Sequence, residues 1–323
     1  MRVTLQHRIE YALLMAVAAF LRALPLRVAT GLTAFCWRQI APLTHRHKRA
    51  LDNLAVAMPH LSHGERQRIV RAMWDNLGRV MAETFVVDRL ARDPTCVELE
   101  ETYLIARYDR KMGRSVVASL HMGNWEMTAW PLLMIHAHGA AVYRVVENPL
   151  VDRFLRRQRE HFWPGGLIDR GPGVGHAVIP NLLRHLQGNN ELGMLTDLVD
   201  TKGIQVQFFG HTVWATPAAA WLARRTGARL WVARCIRVGR SSKFRVSARE
   251  LHVPYSADVD SDVRLTTQAI YNAFEAWIRE HPEQWMWSNK RWAEDVLEEK
   301  LKASVSSHEA EPLPKAQASP TSA

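Results

Sequence analysis

The sequence predicts an α/β fold preceded by helices, with a membrane-associated helix at its start. Short β-rich runs at 115–120, 140–145, 192–196, 205–208, 230–236 and 244–247 alternate with helix-length segments. Such alternation lets helices cover the faces of a sheet, which is the condition for an α/β core. The composition agrees: 323 residues, 47% hydrophobic and 23% charged, describe an ordinary globular chain and exclude a mostly unfolded one. No repeat of roughly 20 to 50 residues is present, and composition is uniform between 100 and 300, so a single domain is expected over 41–301.

Taken in order, the first element is an uncharged apolar run at 11–21, interrupted by Arg22 and Arg27 and followed by a second at 28–37. Each run is shorter than the roughly 20 residues a membrane span needs. Arg2, Arg8, Arg46, Lys48 and Arg49 flank the region, and no convincing cleavage site follows it. A retained anchor over 1–40 is expected, spanning or interfacial. Residues 45–90 read as helical, with Pro59 closing one helix and Ser62 to Glu65 forming a capping box for the next. After the alternating region an amphipathic helix is expected near 265–280. The Ser, Pro and Ala rich stretch 302–323 is expected to be disordered.

The net charge of +10 draws the chain toward anionic partners, whether nucleic acid, acidic lipid or acidic protein. Three scattered cysteines make neither a disulfide framework nor a zinc site, and no metal or cofactor is expected. There is no GxSxG elbow and no P-loop lysine, and Gly171, Gly173 and Gly175 give GxGxG, not a dinucleotide fingerprint.

The segment best suited to chemistry is 115–130, SVVASLHMGNWEMTAW, where a β run ends at His121, turns through Gly123 and Asn124, and enters a helix carrying Glu126. On one continuous helix the five-residue offset would rotate the two side chains apart by about 140°. If His121 instead closes the strand and Asn124 caps the helix, Glu126 can reach one imidazole nitrogen and leave the other for substrate. A carboxylate held so fixes the tautomer and favours the cation formed on proton uptake. The spacing alone is weak, since about 1.5 chance matches are expected and three occur, His47 with Asp52 and His60 with Glu65 being the others. Only His121 has the strand, glycine and helix setting.

HMGNWE, the following YRVVENPLVDRFLRRQR, LTDLVDTKGIQVQFFG and HPEQWMWSNKRW together resemble the lipid A late acyltransferases, the lauroyl and myristoyl transferases of the lysophospholipid acyltransferase superfamily, over roughly 44–294. The resemblance implies the glycerolipid acyltransferase-like fold, a mixed central sheet flanked by helices. It implies His121 as general base with Glu126 as its orienter, an acyl carrier protein thioester as donor, and a glycolipid acceptor whose hydroxyl attacks directly. It places the protein among inner membrane lipids, at the cytoplasmic face of the cell inner membrane. The oxyanion requires donors, and amides near Asn124 or the arginines Arg144, Arg159 and Arg170 are candidates, each arginine being equally suited to a solvated salt bridge.

Asn148 and Asp152 match polar positions of the same block, and either could simply cap a helix. Asp197 ends a β run, where α/β sheets place function, and could hold an arginine or a sugar hydroxyl; it is followed by Leu198 where many members have glutamine. Phe208 and Phe209 could line an acyl tunnel or belong to the core. Trp285, Trp287 and Trp292, with Lys290 and Arg291, suit the core or a membrane interface better than nucleic acid, and no nucleic-acid partner is expected. Two rivals remain: a superfamily acyltransferase using a lysophospholipid, mannosylated lipid or aminolipid, and a non-enzymatic basic binding module, which leaves HMGNWE unexplained.

Overall fold

The structure is a computed structural model describing residues 3–100, 113–170 and 175–292. The expected tail at 302–323 lies outside the described residues. Five helices lead in: α1 (Leu5–Ala23), α2 (Leu26–Ile40), α3 (His45–Ala57), α4 (His63–Phe85) and the single turn α5 (Val87–Leu90). Pro25 separates the first two, since a proline cannot supply the amide an uninterrupted helix would require. The Ser62 and Glu65 capping box starts α4 as the sequence indicated. Met58 caps α3 immediately before Pro59.

The central sheet holds β1 (Val97–Leu99), β2 (Ser115–Ser119), β3 (Ala140–Tyr143), β4 (Leu167–Asp169), β5 (Glu191–Leu195), β8 (Arg229–Arg237) and β9 (Phe244–Leu251), in the order β1, β9, β8, β2, β5, β3, β4. All neighbours are parallel except β8 and β9, so the sheet is mixed, as expected. Between β5 and β8 an antiparallel hairpin stands apart, formed by β6 (Val199–Phe208) and β7 (His211–Ala215). The run at 205–208 is therefore part of this hairpin and not of the main sheet. The three-residue strands β1 and β4 escaped the sequence reading because no period can show over so short a length.

Helices fill the remaining connections: a 3-10 turn at Trp125–Ala129 leading into α6 (Trp130–Met134), then α7 (Pro149–Arg159), α8 (Gly175–Gln187) and α9 (Ala218–Thr226), and the long α10 (Val259–Glu280) follows the last strand. The main core unites buried residues of β2, β5 and β8 with Leu54, Trp74, Leu222, Ile270 and Phe274 from the helices. Trp285 and Trp287 are fully buried in it and Trp292 nearly so, which decides for the core reading of the tryptophan-rich stretch over the interfacial one.

Residues 3–40 are packed on the rest of the chain. A β-carbon on Gly78 of α4 would stand 2.6 Å from the Ala34 α-carbon, so that glycine lets α2 lie directly against α4. Ala18 and Leu21 of α1 pack with Ala82 and Phe85. Arg22, the arginine that breaks the apolar run, grips Asp88 through two hydrogen bonds of 2.7 and 3.0 Å and caps the Phe85 carbonyl. The outer face is apolar: Leu5, Ile9, Leu13, Val17 and Phe20 recur at helical spacing and are 50% to 74% exposed. Among the described residues no helix is long and apolar enough to cross a membrane.

Candidate active site

Strand register builds the site. β2 and β5 are parallel neighbours with Ser119 opposite Leu195, so the positions two residues beyond each, His121 and Asp197, emerge side by side at the C-terminal edge of the sheet. His121 Nδ1 lies 2.7 Å from Asp197 Oδ1, and the His121 backbone amide donates to Oδ2 at 3.0 Å. Trp285 Nε1 and an Arg291 Nη donate to the same Oδ2, at 2.9 and 3.2 Å. Burial of Asp197 opposes its charged form, but His121, Arg291 and these hydrogen bonds outweigh it and hold the carboxyl well below its usual range. Nδ1 is thus the protonated nitrogen. Nε2 makes no hydrogen bond to a described residue, and the ring lines a cavity.

The carboxylate expected to orient His121 is Glu126, and here the structure corrects the sequence reading. Glu126 Oε1 binds Arg159, 2.8 Å from Nε and 2.7 Å from Nη2. The 3-10 turn at Trp125–Ala129 turns this side chain toward α7, while the neighbouring strand supplies Asp197 to the imidazole at no cost in chain reversal. Arg159 is correspondingly raised above its ordinary value: burial lowers it, and the Glu126 charge and hydrogen bond prevail. Both groups line the same cavity as His121.

The turn between them is held from behind. Gly123 has φ +57°, and a β-carbon there would stand 2.1 Å from the Cys235 carbonyl oxygen, so only glycine fits. Asn76 donates to the Gly123 carbonyl at 2.9 Å and accepts from Arg237 Nε at 2.8 Å. Glu83, fully buried, takes Arg237 through both oxygens and accepts from Asn124 at 2.9 Å. Asn124 in turn caps the helix through Glu126 N, as expected. Arg237 was missed as a site residue because no local pattern marks it, and Arg291 was read only as part of the tryptophan-rich stretch; Asn76 and Glu83 lie within the range 44–294 that carries the resemblance.

The cavity measures about 630 Å³. Its polar end carries His121, Glu126, Arg159, Tyr143 and the exposed Arg144 and Arg170. Arg170 stands 3.8 Å from Asp200. Below them Val117, Gly193, Ala141 and Leu167 form one continuous register row across β2, β5, β3 and β4, about 13 Å along the strand from His121. Trp163 covers this row, its ring so close that a β-carbon on Gly193 would meet it at 2.2 Å. The result is a slot that is charged at one end and apolar at the other.

Three expected site residues sit elsewhere. Asp152 accepts from Tyr143 Oη and the Val146 amide at 2.9 Å and from Arg156 at 2.7 Å, so it braces the loop before α7. Phe208 and Phe209 are buried edge to face in an aromatic cluster with Tyr271, Trp285, Trp287 and Trp292 and do not line this cavity, so they serve the core and not an acyl tunnel beside His121. Among the described residues no group of His, Cys, Asp or Glu is arranged to hold a metal ion.

A model of the bacterial lipid A biosynthesis acyltransferases matches residues 2–294, nearly the whole chain. The chain belongs to that family. Curated relatives include phosphatidylinositol mannoside acyltransferases from two Mycobacterium tuberculosis strains, 28% identical over 197 residues in CDC 1551 / Oshkosh and 29% over 188 in H37Rv. A third, from Mycolicibacterium smegmatis, is 27% identical over 191 residues. These alignments cover 57% to 58% of this chain and span 56% to 60% of the relatives' own length.

Proposed function

We propose that the protein transfers a fatty acyl chain from an acyl carrier protein thioester to a hydroxyl of a lipid A precursor, with His121 as general base. The observation that carries this reading is the His121 to Asp197 hydrogen bond, which leaves Nε2 as an unpaired acceptor at the polar end of the slot. In the reaction Nε2 takes the acceptor's hydroxyl proton as its oxygen attacks the thioester carbonyl. The C–O bond forms, the C–S bond breaks, and the proton passes from the imidazolium to the departing thiolate. Asp197 holds the tautomer and favours the transient cation. Arg159, positioned by Glu126, and the exposed Arg144 supply positive charge where the oxyanion develops.

The relatives named for phosphatidylinositol mannoside favour a second acceptor, a mannosylated lipid, on the same machinery. Mass spectrometry of lipids from cells with and without the gene separates the two, since the missing acyl chain marks the acceptor. Unchanged spectra would overturn both, and would favour a basic binding module.

We further propose that the protein works at the cytoplasmic face of the cell inner membrane without spanning it. The apolar stripe Leu5, Ile9, Leu13, Val17 and Phe20 supports an interfacial position. Serine at Ile9, Leu13 and Val17 is expected to release the folded protein from membranes. Because α2 is packed on α4, these point changes test the idea more cleanly than removal of residues 1–40.

A further inference from the structure

On the side of α4 away from Gly123, a second cavity of about 270 Å³ opens among α2, α3 and α4, and its lining is cationic. Arg38, Arg68 and Arg71 line it together with His47, Gln67 and Trp74. Arg68 and Arg71 stand one turn apart on α4 and are exposed, and neither forms an ion pair with a described residue. The acid beside the pocket, Asp75, is already shared by Arg38 at 2.8 Å and Arg79 at 2.7 Å. Glu65, one turn before Arg68, hydrogen-bonds the Ser62 cap and meets Arg68 only as a charge at a distance, without an ion pair. Arg38 Nε is buried without a hydrogen-bond partner. Trp74 Nε1 donates to His47 Nδ1 at 3.1 Å, so the neutral ring carries its proton on Nε2 and offers one more donor. Parallel stacking of Trp37 on Trp74, with centroids 5.7 Å apart, gives the pocket a rigid wall.

What flanks the pocket indicates its ligand. Pro42 lines it, and Ile40 and Leu43 on either side of that proline are 59% and 86% exposed. An anion held here therefore lies at the edge of an apolar surface. We propose that this pocket binds the phosphate of an anionic membrane lipid headgroup, with Arg68 and Arg71 as its principal charges and Ile40 and Leu43 entering the bilayer beside it. Arginines clustered at a membrane surface recognise phosphate lipids through charge-assisted hydrogen bonds. Such a contact would fix the rotation of the protein on the membrane, which the apolar stripe alone leaves free. The proposal goes beyond the acyl transfer reading, and none of its residues lines the His121 cavity.

The test is sedimentation of the full chain with phosphatidylcholine vesicles, with and without phosphatidic acid. Arg68→Gln/Arg71→Gln is compared with the exposed control pair Arg225→Gln/Arg249→Gln. Arg38 is left intact because it neutralises Asp75, and thermal unfolding confirms that both variants fold. Phosphatidic acid should tighten binding of wild type and control by about tenfold or more. The Arg68/Arg71 variant should lose most of that gain while keeping its binding to phosphatidylcholine. An equal gain in all three proteins, or an equal loss in both variants, overturns the site. Inorganic phosphate separates the sources: if it stabilises wild type but not the Arg68/Arg71 variant against unfolding while their vesicle binding is the same, the pocket takes a free anion and the lipid assignment fails. Loss of acyl transfer in the His121 variants would not bear on any of these outcomes.

Discussion

Asp197 and His121 are 76 residues apart in sequence and meet at 2.7 Å because they leave adjacent parallel strands in register. Asp197→Asn keeps the shape but can present an amide N–H to Nδ1, which favours the tautomer that cannot accept a proton at Nε2. Its kcat should fall about 10⁴-fold, the scale seen when a buried aspartate behind a catalytic histidine is replaced so. His121→Ala should fall at least as far. Turnover of a purified acyl thioester, with circular dichroism as a check on folding, measures both; near wild-type turnover of Asp197→Asn would remove Asp197 from the mechanism.

Glu126 holds Arg159 and not the imidazole, so its loss should read differently. Glu126→Gln retains a hydrogen bond to the guanidinium and should lower kcat by about 10²-fold or less, the scale of losing one oriented donor. On the acyl transfer reading the pH profile should keep its shape, because the His121 and Asp197 pair is untouched. A profile displaced as strongly as in Asp197→Asn would restore Glu126 as the partner of His121.

Asp197 also couples stability to pH. Its folded pKa lies below the ordinary 3.8, so the unfolded chain binds the proton first as pH falls. The stabilisation it gives is fully present above that ordinary value and is lost progressively as pH drops below it toward the folded value. Urea midpoints from pH 7 down to pH 3 should therefore fall less in Asp197→Asn than in wild type. Equal slopes would show that the Asp197 carboxylate, with its His121 and Arg291 partners, contributes nothing to acid sensitivity.

The buried pair of Glu83 and Arg237 fixes the turn that carries Gly123 and Asn124. Removing one partner strands the other charge in the core, so Glu83→Ala should cost about 3 to 5 kcal/mol in chemical unfolding. Arg237→Met/Glu83→Leu together should cost far less than the two single changes added, because neither charge is then orphaned. Additive losses in the double-mutant cycle would show that the pair is not coupled.

Trp163 over Gly193 closes the apolar end of the slot, and on the acyl transfer reading it sets how long a chain fits. Trp163→Leu should shift preference among saturated thioesters of increasing length toward longer chains, by about two methylenes or more. Each methylene accommodated is worth about 1 to 3 kcal/mol of discrimination. Gly193→Ala should destabilise the protein, since its methyl group would overlap the indole. An unchanged length preference in the folded Trp163 variant would place the acyl chain elsewhere.

The sequence by itself determined the local terms. Periodicity showed the α/β class, the Ser62 to Glu65 box started α4, and Asn124 before Glu126 marked a cap after the strand bearing His121. It named Arg144, Arg159 and Arg170 as candidates beside the histidine without deciding for them over salt bridges, and all three line the His121 cavity. Tertiary structure alone decided which acid meets His121. Glu126 is five residues away and Asp197 seventy-six, yet strand register, a property of paired backbones, brings the distant one into line. Similarly, Phe208 and Phe209 read more readily as core than as tunnel, and the hairpin packs them on Trp285 and Trp292. Local pattern fixes what a residue's neighbours along the chain permit; partners across a sheet follow from packing, which no window of sequence contains.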